Sequence, residues 1–447
     1  MGGRSRRRWL RCAAALGLIG GIFLPIFFAP PSDEVARRTT EALAPPEVRE
    51  TLADPIDNAT VATTEVATAT PHGADEIELC GGARLKIDSN GWPDYAELSR
   101  LAREPKTRER ILDRMRCSSS ELARTAALLL ASLGDDKRRL AMLGFVPPCE
   151  GADCPAADSA MEAARRSRDA IARVAVSTSD PKVYALALAL CAGKTGAFAG
   201  ACGMLSAAQW SRLDPGNAAP WHQLLAAAKV RGDTAAQNEA LFRIANAPRN
   251  DVDLFSTAGA VLDAALDDDA SVLATWGLVT DAVSVGAAFA IPAYQALTAM
   301  CRGDALRDAN RLQTCAAMAE TLAERSDTMM GRMIGVAIGK QVGWPVERGE
   351  RMRGEYESYI TSLGTDTSDP MGLGCGKMRL DLALVRRNAA LGETGALREW
   401  IAKSGMKPET FIREQRVRER QRDVAAATYQ REQAASAAAA GAAAAQR

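Results

Sequence analysis

Leu213–Pro248 reads LDPGNAAPWHQLLAAAKVRGDTAAQNEALFRIANAP, and its order of breakers and formers decides the fold class. Asp214-Pro215 opens it, an Ala- and Leu-rich run leads to Gly232, and a second such run ends at Ala247-Pro248. Ala and Leu lose least on entering a helix, and Gly and Pro punctuate helices, so the stretch predicts two helices joined by a tight turn. The same grammar continues outward in SSELARTAALLLASLG, DSAMEAARRSRDAIARVAV, PAYQALTAMC, DANRLQTCAAMAETLAE and MMGRMIGVAIGKQVG. Each has apolar residues at helical spacing, and breaks come about every 12–20 residues. No run of alternating β-branched residues stands out, and aromatic residues are only 5% of a chain that is 47% hydrophobic. An all-α protein is therefore expected. Its 447 residues suffice for a sizeable core, and short connections between helices imply antiparallel hairpins gathered in a bundle or stacked as a solenoid.

Asp180-Pro181 recurs as Asp214-Pro215, 34 residues later, and Ala247-Pro248 makes a third break. With Asn217 leading in, Trp221 and Leu224 in the first helix, Gly232 at the turn and small alanines in the second helix, the segment resembles the tetratricopeptide repeat family, whose period this is. Leu225 and Gln237 stand where that family has small residues, and the likeness covers about a sixth of the chain. It implies stacked antiparallel helical hairpins, an α-solenoid, over 77–408. It also implies a concave groove lined by first helices that takes a peptide or helix of a partner protein. On this likeness His222, Ala226 and Lys229 face the groove, and Trp221 packs inside.

The N-terminus carries a different signal. Arg4, Arg6, Arg7, Arg8 and Arg11 precede CAAALGLIGGIFLPIFFA, Cys12–Ala29, which holds no charge. At about 18 residues this run is at the short end of a spanning helix. Pro30 and Pro31 follow at once, and no A-x-A-like cleavage site closes the run, so an uncleaved transmembrane anchor is expected over 12–29. The arginines of 1–11 then stay cytoplasmic and the body is exported, which places it outside the inner membrane as a single-pass protein. SRRRWLR, Ser5–Arg11, is also similar to a twin-arginine export signal, although a plain basic flank accounts for it. From Pro30 to 76 the chain is a Pro-, Ala- and Thr-rich tether. Taking those five arginines from the 55 basic side chains leaves 50 against 55 acidic ones, no electrostatic footprint for nucleic acid.

Cysteine use agrees with export, because nine cysteines beyond Cys12 are too many for idle thiols in a reducing cytosol. Cys149 with Cys154, Cys191 with Cys202, and Cys301 with Cys315 are close pairs at predicted helix ends, where a disulfide can staple a hairpin. Cys80 with Cys117 is a fourth expected pair, leaving Cys375 over. A metal is not expected: no pair has C-x-x-C spacing, and His72 and His222 are the only histidines. That scarcity also removes the common His-based hydrolase sites, and no cofactor motif, P-loop, G-x-S-x-G or H-E-x-x-H is present.

Smaller features read blandly. ELCGGARLKIDSNGWPDY is an irregular cap before the helices; its Asp88–Asp94 part lacks the oxygen ligands of a calcium loop. Asp267, Asp268 and Asp269 form a solvated acidic turn. From Glu409 the sequence predicts a solvated charged helix that runs into an alanine-rich tail, 409–447. The expected function is a protein-interaction or scaffolding module in the cell envelope. The alternative is an envelope hydrolase whose site assembles only in three dimensions.

Overall fold

A computed structural model describes residues 76–86, 93–134, 141–142, 154–191, 200–265, 269–290, 294–363 and 373–445. The expected anchor, the basic segment before it, the tether, most of the Asp88–Asp94 loop, Asp267, Asp268 and Cys149, one half of an expected cysteine pair, lie outside the described residues. Among the described residues no helix is long and apolar enough to cross a membrane.

The chain is predominantly helical. It opens with a two-stranded antiparallel hairpin, β1 (Glu76–Glu78) and β2 (Arg84–Lys86), folded around a 3-10 turn at Cys80–Gly82. This replaces the irregular cap expected from the sequence. Seventeen α-helices follow among the described residues. The first six are α1 (Tyr95–Leu101), α2 (Pro105–Arg116), α3 (Glu121–Ser132), α4 (Cys154–Ser177), α5 (Pro181–Cys191) and α6 (Ala207–Leu213). Next come α7 (Ala219–Arg231), α8 (Thr234–Asn246), α9 (Ser256–Ala264), α10 (Asp269–Ala290), α11 (Tyr294–Met300) and α12 (Ala309–Arg325). The last five are α13 (Met329–Gln341), α14 (Val346–Leu363), α15 (Cys375–Leu391), α16 (Glu393–Ser404) and α17 (Pro408–Ala445).

Neighbours in sequence mostly pack on one another from α2 through α8, and α8 then packs on α12, which pairs with α13. The α7–α8 turn forms where the sequence places it, with Gly232 left-handed at φ 69 and Asp233 capping α8 by accepting from the Ala236 N–H. Helices α12 and α13 come close together at Gly335, where a Cβ would stand 2.8 Å from the Ala319 carbonyl oxygen. Two helices leave this succession. Helices α9 and α10 turn back to pack on α2 and α3, and α15 covers them both. The largest core lies there, around Ile111, Leu129, Leu130, Val261 and Leu278.

The loops between hairpins stack edge to edge. Asn217 pairs with Arg249 and Asn250 with Ser326 as parallel β-bridges. Asn217 is fully buried, and its carbonyl Oδ1 accepts from the N–H groups of Ala219 (3.0 Å) and Asp251 (2.9 Å). Its Nδ2 donates to Asp214 Oδ2 (2.9 Å) and to the Asp251 carbonyl (2.8 Å). Asp327 repeats the device one loop further on, accepting from Val252 N–H (3.0 Å) and Asp253 N–H (2.8 Å). At the start of α16 the Thr394 hydroxyl donates to the Ser326 carbonyl, and Glu393 Oε2 accepts from Met329 N–H at 2.8 Å. Side chains thus take up backbone donors that neither helix can satisfy.

Among the described residues three cysteine pairs stand at disulfide distance. Cys191–Cys202 and Cys301–Cys315 are two of those expected, with Cα atoms 5.5 and 5.7 Å apart. Cys80 pairs with Cys375 instead of Cys117, across 295 residues and with Cα atoms 4.6 Å apart, and Cys117 is free and exposed. The physical reason is the return of α10 and α15 to the N-terminal hairpin. Leu79, Leu85, Leu273, Trp276 and Met378 form one small core there, which brings the two sulfurs together. The C-terminal charged segment also differs from the solvated helix expected. Phe411 and Gln415 are buried as α17 docks on α14, crossing it at Gly354, and Arg416, Glu419 and Arg422 pair with Glu350, Arg353 and Glu357.

Two outcomes follow from this packing. A non-reducing peptide map should show the Cys80 peptide joined to the Cys375 peptide, with Cys117 alkylated without prior reduction. Asn217→Ala strands several buried polar groups and should cost about 2–4 kcal/mol in urea denaturation. Asn310→Ala, on an exposed position of α12, should change stability by less than about 0.5 kcal/mol.

Candidate functional site

The likeness drawn from sequence places His222, Ala226 and Lys229 on one open face of α7. The structure separates them. His222 is only 1% exposed, Ala226 is partly buried against the core, and Lys229 is exposed. Helix α11 packs on α7 and sets the Tyr294 ring 5.0 Å from the His222 imidazole. Burial holds that imidazole down at a pKa of about 3, so it stays neutral and does not serve as a titrating base near pH 7. His222 is a core residue here, because the surface it was expected to line is covered by the chain itself. Trp221 packs against the same core, as expected.

An open cleft lies elsewhere, between the α2–α3 turn and the pair α9 and α15, with a volume of about 470 Å³. Its floor is apolar, from Met115, Ala123, Ala260 and Ala264, and Gly259 brings α9 onto α15, where a Cβ would stand 2.8 Å from Ala389 Cβ. Its rim is polar. Arg114 comes from the last turn of α2, Lys182 from the first turn of α5 and Arg386 from α15, with the hydroxyls of Ser118, Ser120 and Ser256 between them and Asp263 as the lining carboxylate.

Each cation is positioned by the fold. Arg114 Nη1 donates to the Ala265 carbonyl at 3.0 Å, and Arg386 Nη2 to the Leu262 carbonyl at 3.0 Å, so both guanidinium groups hold the C-terminal end of α9. That is a natural place for a cation, because the last carbonyls of a helix lack intrahelical donors and carry its negative dipole end. A guanidinium has five N–H donors, and one such bond leaves the others for a ligand. Arg124 Nη1 donates to the carbonyls of Ser118 (2.7 Å) and Ser119 (2.9 Å), which braces the serine turn on the opposite side. Lys182 Nζ lies 3.0 Å from Asp253 Oδ1.

None of these cleft residues was singled out from sequence. They come from five helices and a turn spread over some 270 positions, and only Ser118-Ser119-Ser120 before α3 carries a local signal, that of a helix cap.

Asp253 joins the cleft to the stacked loops. It is the one described non-glycine residue with positive φ, at 55, and its N–H is held by Asp327. Such a conformation costs of order 1–3 kcal/mol and persists where surrounding contacts over-determine it. Asp327 has its carboxyl pushed up to about 8, chiefly by burial; two backbone N–H bonds pull the other way, and Asp253 and Asp251 add to the rise. Burial likewise raises Glu393 to about 7, against one bond from Met329 N–H. These two carboxyls would be candidates for acid–base chemistry, but neither lines the cleft and both hold backbone. Among the described residues no group of three His, Cys, Asp or Glu is placed to hold a metal ion.

The chain matches no protein-family model, no curated protein and no solved structure.

The raised carboxyls make stability depend on pH. Between about pH 4 and 8 the folded protein retains protons that the unfolded chain has released, so this contribution is full at the acid end and is lost as pH rises through 7 and then 8. The melting temperature should fall from pH 6 to pH 9, and the fall should be shallower in Asp327→Asn and in Glu393→Gln, measured as slopes against pH because each variant also loses a hydrogen bond.

Proposed function

We propose that this protein is a membrane-anchored, exported scaffold of stacked helical hairpins that binds a segment of a partner protein in the cell envelope. The open cleft beside α9 supports this reading most directly. It is a preformed recess of a size that accepts a few side chains, with an apolar floor and fixed polar groups at its rim. The solenoid part of the reading draws on the stacked loops, since Asn217 and Asp251 are bonded across an interval of 34 residues, the spacing that the sequence shows between Asp180-Pro181 and Asp214-Pro215.

Support for the anchor and for export comes from Arg4 to Arg11 ahead of the uncharged run Cys12–Ala29, and from three cysteine pairs at disulfide distance. The partner surface is assigned to the cleft, with Lys229 of α7 as the exposed remnant of the face expected from sequence. The hydrolase alternative has no comparable support, because Asp327 and Glu393, the two carboxyls raised furthest, hold loop backbone.

Fusing alkaline phosphatase, which is active only outside the cytoplasm, after Arg447 should give an active enzyme, and a fluorescent-protein fusion at the same point should stay dark. A photo-crosslinking residue at Ala390 on the cleft rim should capture discrete envelope proteins, and the same residue at Lys229 fewer. A dark phosphatase with a bright fluorescent fusion would sink the export reading. Equal labelling from both positions would remove the cleft from it.

A further inference from the structure

The cleft has a definite chemistry. Arg114, Lys182 and Arg386 reach it from three separate helices, and Asp263 is the opposing charge among the lining residues. The lining therefore carries a net positive charge in a chain whose formal net charge is zero. Arg114 and Arg386 each give one bond to a different carbonyl at the end of α9, and Lys182 pairs with Asp253. Both arginines are exposed as residues while each has a nitrogen tied to backbone. Their remaining donors are thus pre-oriented without being consumed, the condition under which a guanidinium binds a carboxylate with two parallel bonds and little loss of side-chain entropy.

We propose that the cleft recognises a carboxylate-bearing, acidic peptide segment, the side chain of a Glu or Asp lying between Arg114 and Arg386 and the stem of the segment resting on the alanines of α9 and α15. This deepens the scaffold reading above and rests on it. Two observations favour a peptide over a lone phosphate. Lys182 is already committed to Asp253 at 3.0 Å, which leaves two guanidinium groups, each with a nitrogen on backbone, as the open cations of the recess. The floor between them is apolar, which a peptide stem covers and a phosphate leaves wet. The serine hydroxyls on the α2–α3 side, in a turn whose backbone carbonyls accept from Arg124, supply donors for the backbone carbonyls of the segment.

The test uses the full-length chain in detergent and a fluorescein-labelled hexaglutamate peptide with an amidated C-terminus, followed by fluorescence anisotropy. Saturable binding is expected, weakening as salt is raised, with hexalysine not binding. Arg114→Gln together with Arg386→Gln should weaken binding at least tenfold. Those arginines also hold α9, so a second variant carries the test independently of folding. Asp263→Asn removes the opposing charge and should tighten binding by two- to fivefold, a gain that unfolding does not produce. Affinity unchanged or weakened in Asp263→Asn overturns the proposal. Displacement of the peptide by inorganic phosphate at equal or lower concentration overturns the peptide assignment in favour of a phosphate ligand. If crosslinking at Ala390 captures a partner while the hexaglutamate series shows no dependence on these charges, the acidic-segment assignment fails and the scaffold reading stands; if crosslinking fails as well, both fall.

Discussion

Backbone polar groups at the ends of helices must find partners, and in this protein one solution is repeated: a buried oxygen-bearing side chain on a loop gathers N–H groups from a neighbouring strand of loop. Asn217 gathers those of Ala219 and Asp251, Asp327 those of Val252 and Asp253, and Glu393 that of Met329. Each bond alone is worth about 1 kcal/mol net, but a group left without its partner in these buried places costs more than the bond contributes. The loops are therefore coupled in a line, and the angle at which each hairpin meets the next follows from them. Gly392, at φ 70, belongs to the same constraint, because a Cβ there would meet the Asp327 carbonyl at 2.8 Å.

The line of loops does not by itself close the molecule. Closure comes from α9 and α10, which leave the succession of hairpins and return to the N-terminal helices, and from α15, which covers both. The Cys80–Cys375 pair lies on that return, across 295 residues, and in chain-entropy terms a crosslink over so long a loop removes more freedom from the unfolded chain than the two local pairs do, since the effect grows with the logarithm of loop length. The same return builds the cleft, whose walls are α2 and the start of α3 on one side and α9 with α15 on the other. An open stack of hairpins would have no such recess at this place.

What could be read from sequence was what depends on neighbours in the chain. The helical class, the turn at Gly232, and the pairs Cys191–Cys202 and Cys301–Cys315 all follow from residues within about one hairpin of each other. Errors appear where distant segments meet. Cys117 is near Cys80 in sequence, and nothing local shows that Cys375 returns to the N-terminal hairpin. His222 falls at a groove position by its spacing, but α11, about seventy residues later, covers it. For α17, a narrow apolar stripe was expected to leave the helix solvated, yet one fully packed phenylalanine, Phe411, and a set of cross-helix ion pairs dock its first part. The cleft was invisible for the same reason, since Arg114, Lys182 and Arg386 carry no pattern until the fold assembles them.

The two parts of the structure share one residue. Lys182 lines the cleft and pairs with Asp253, whose strained backbone is in turn held by Asp327. An anionic group entering the cleft competes with Asp253 for that ammonium. To the extent that Lys182 turns toward the ligand, Asp253 loses its counter-ion, and burial then favours its neutral form, since its carboxyl is already held above the usual range by desolvation. Ligand charge in the cleft and proton occupancy at Asp253 are therefore linked through a single ion pair, and thermodynamic linkage requires the effect to run both ways: whatever protonates Asp253 frees Lys182 for the cleft.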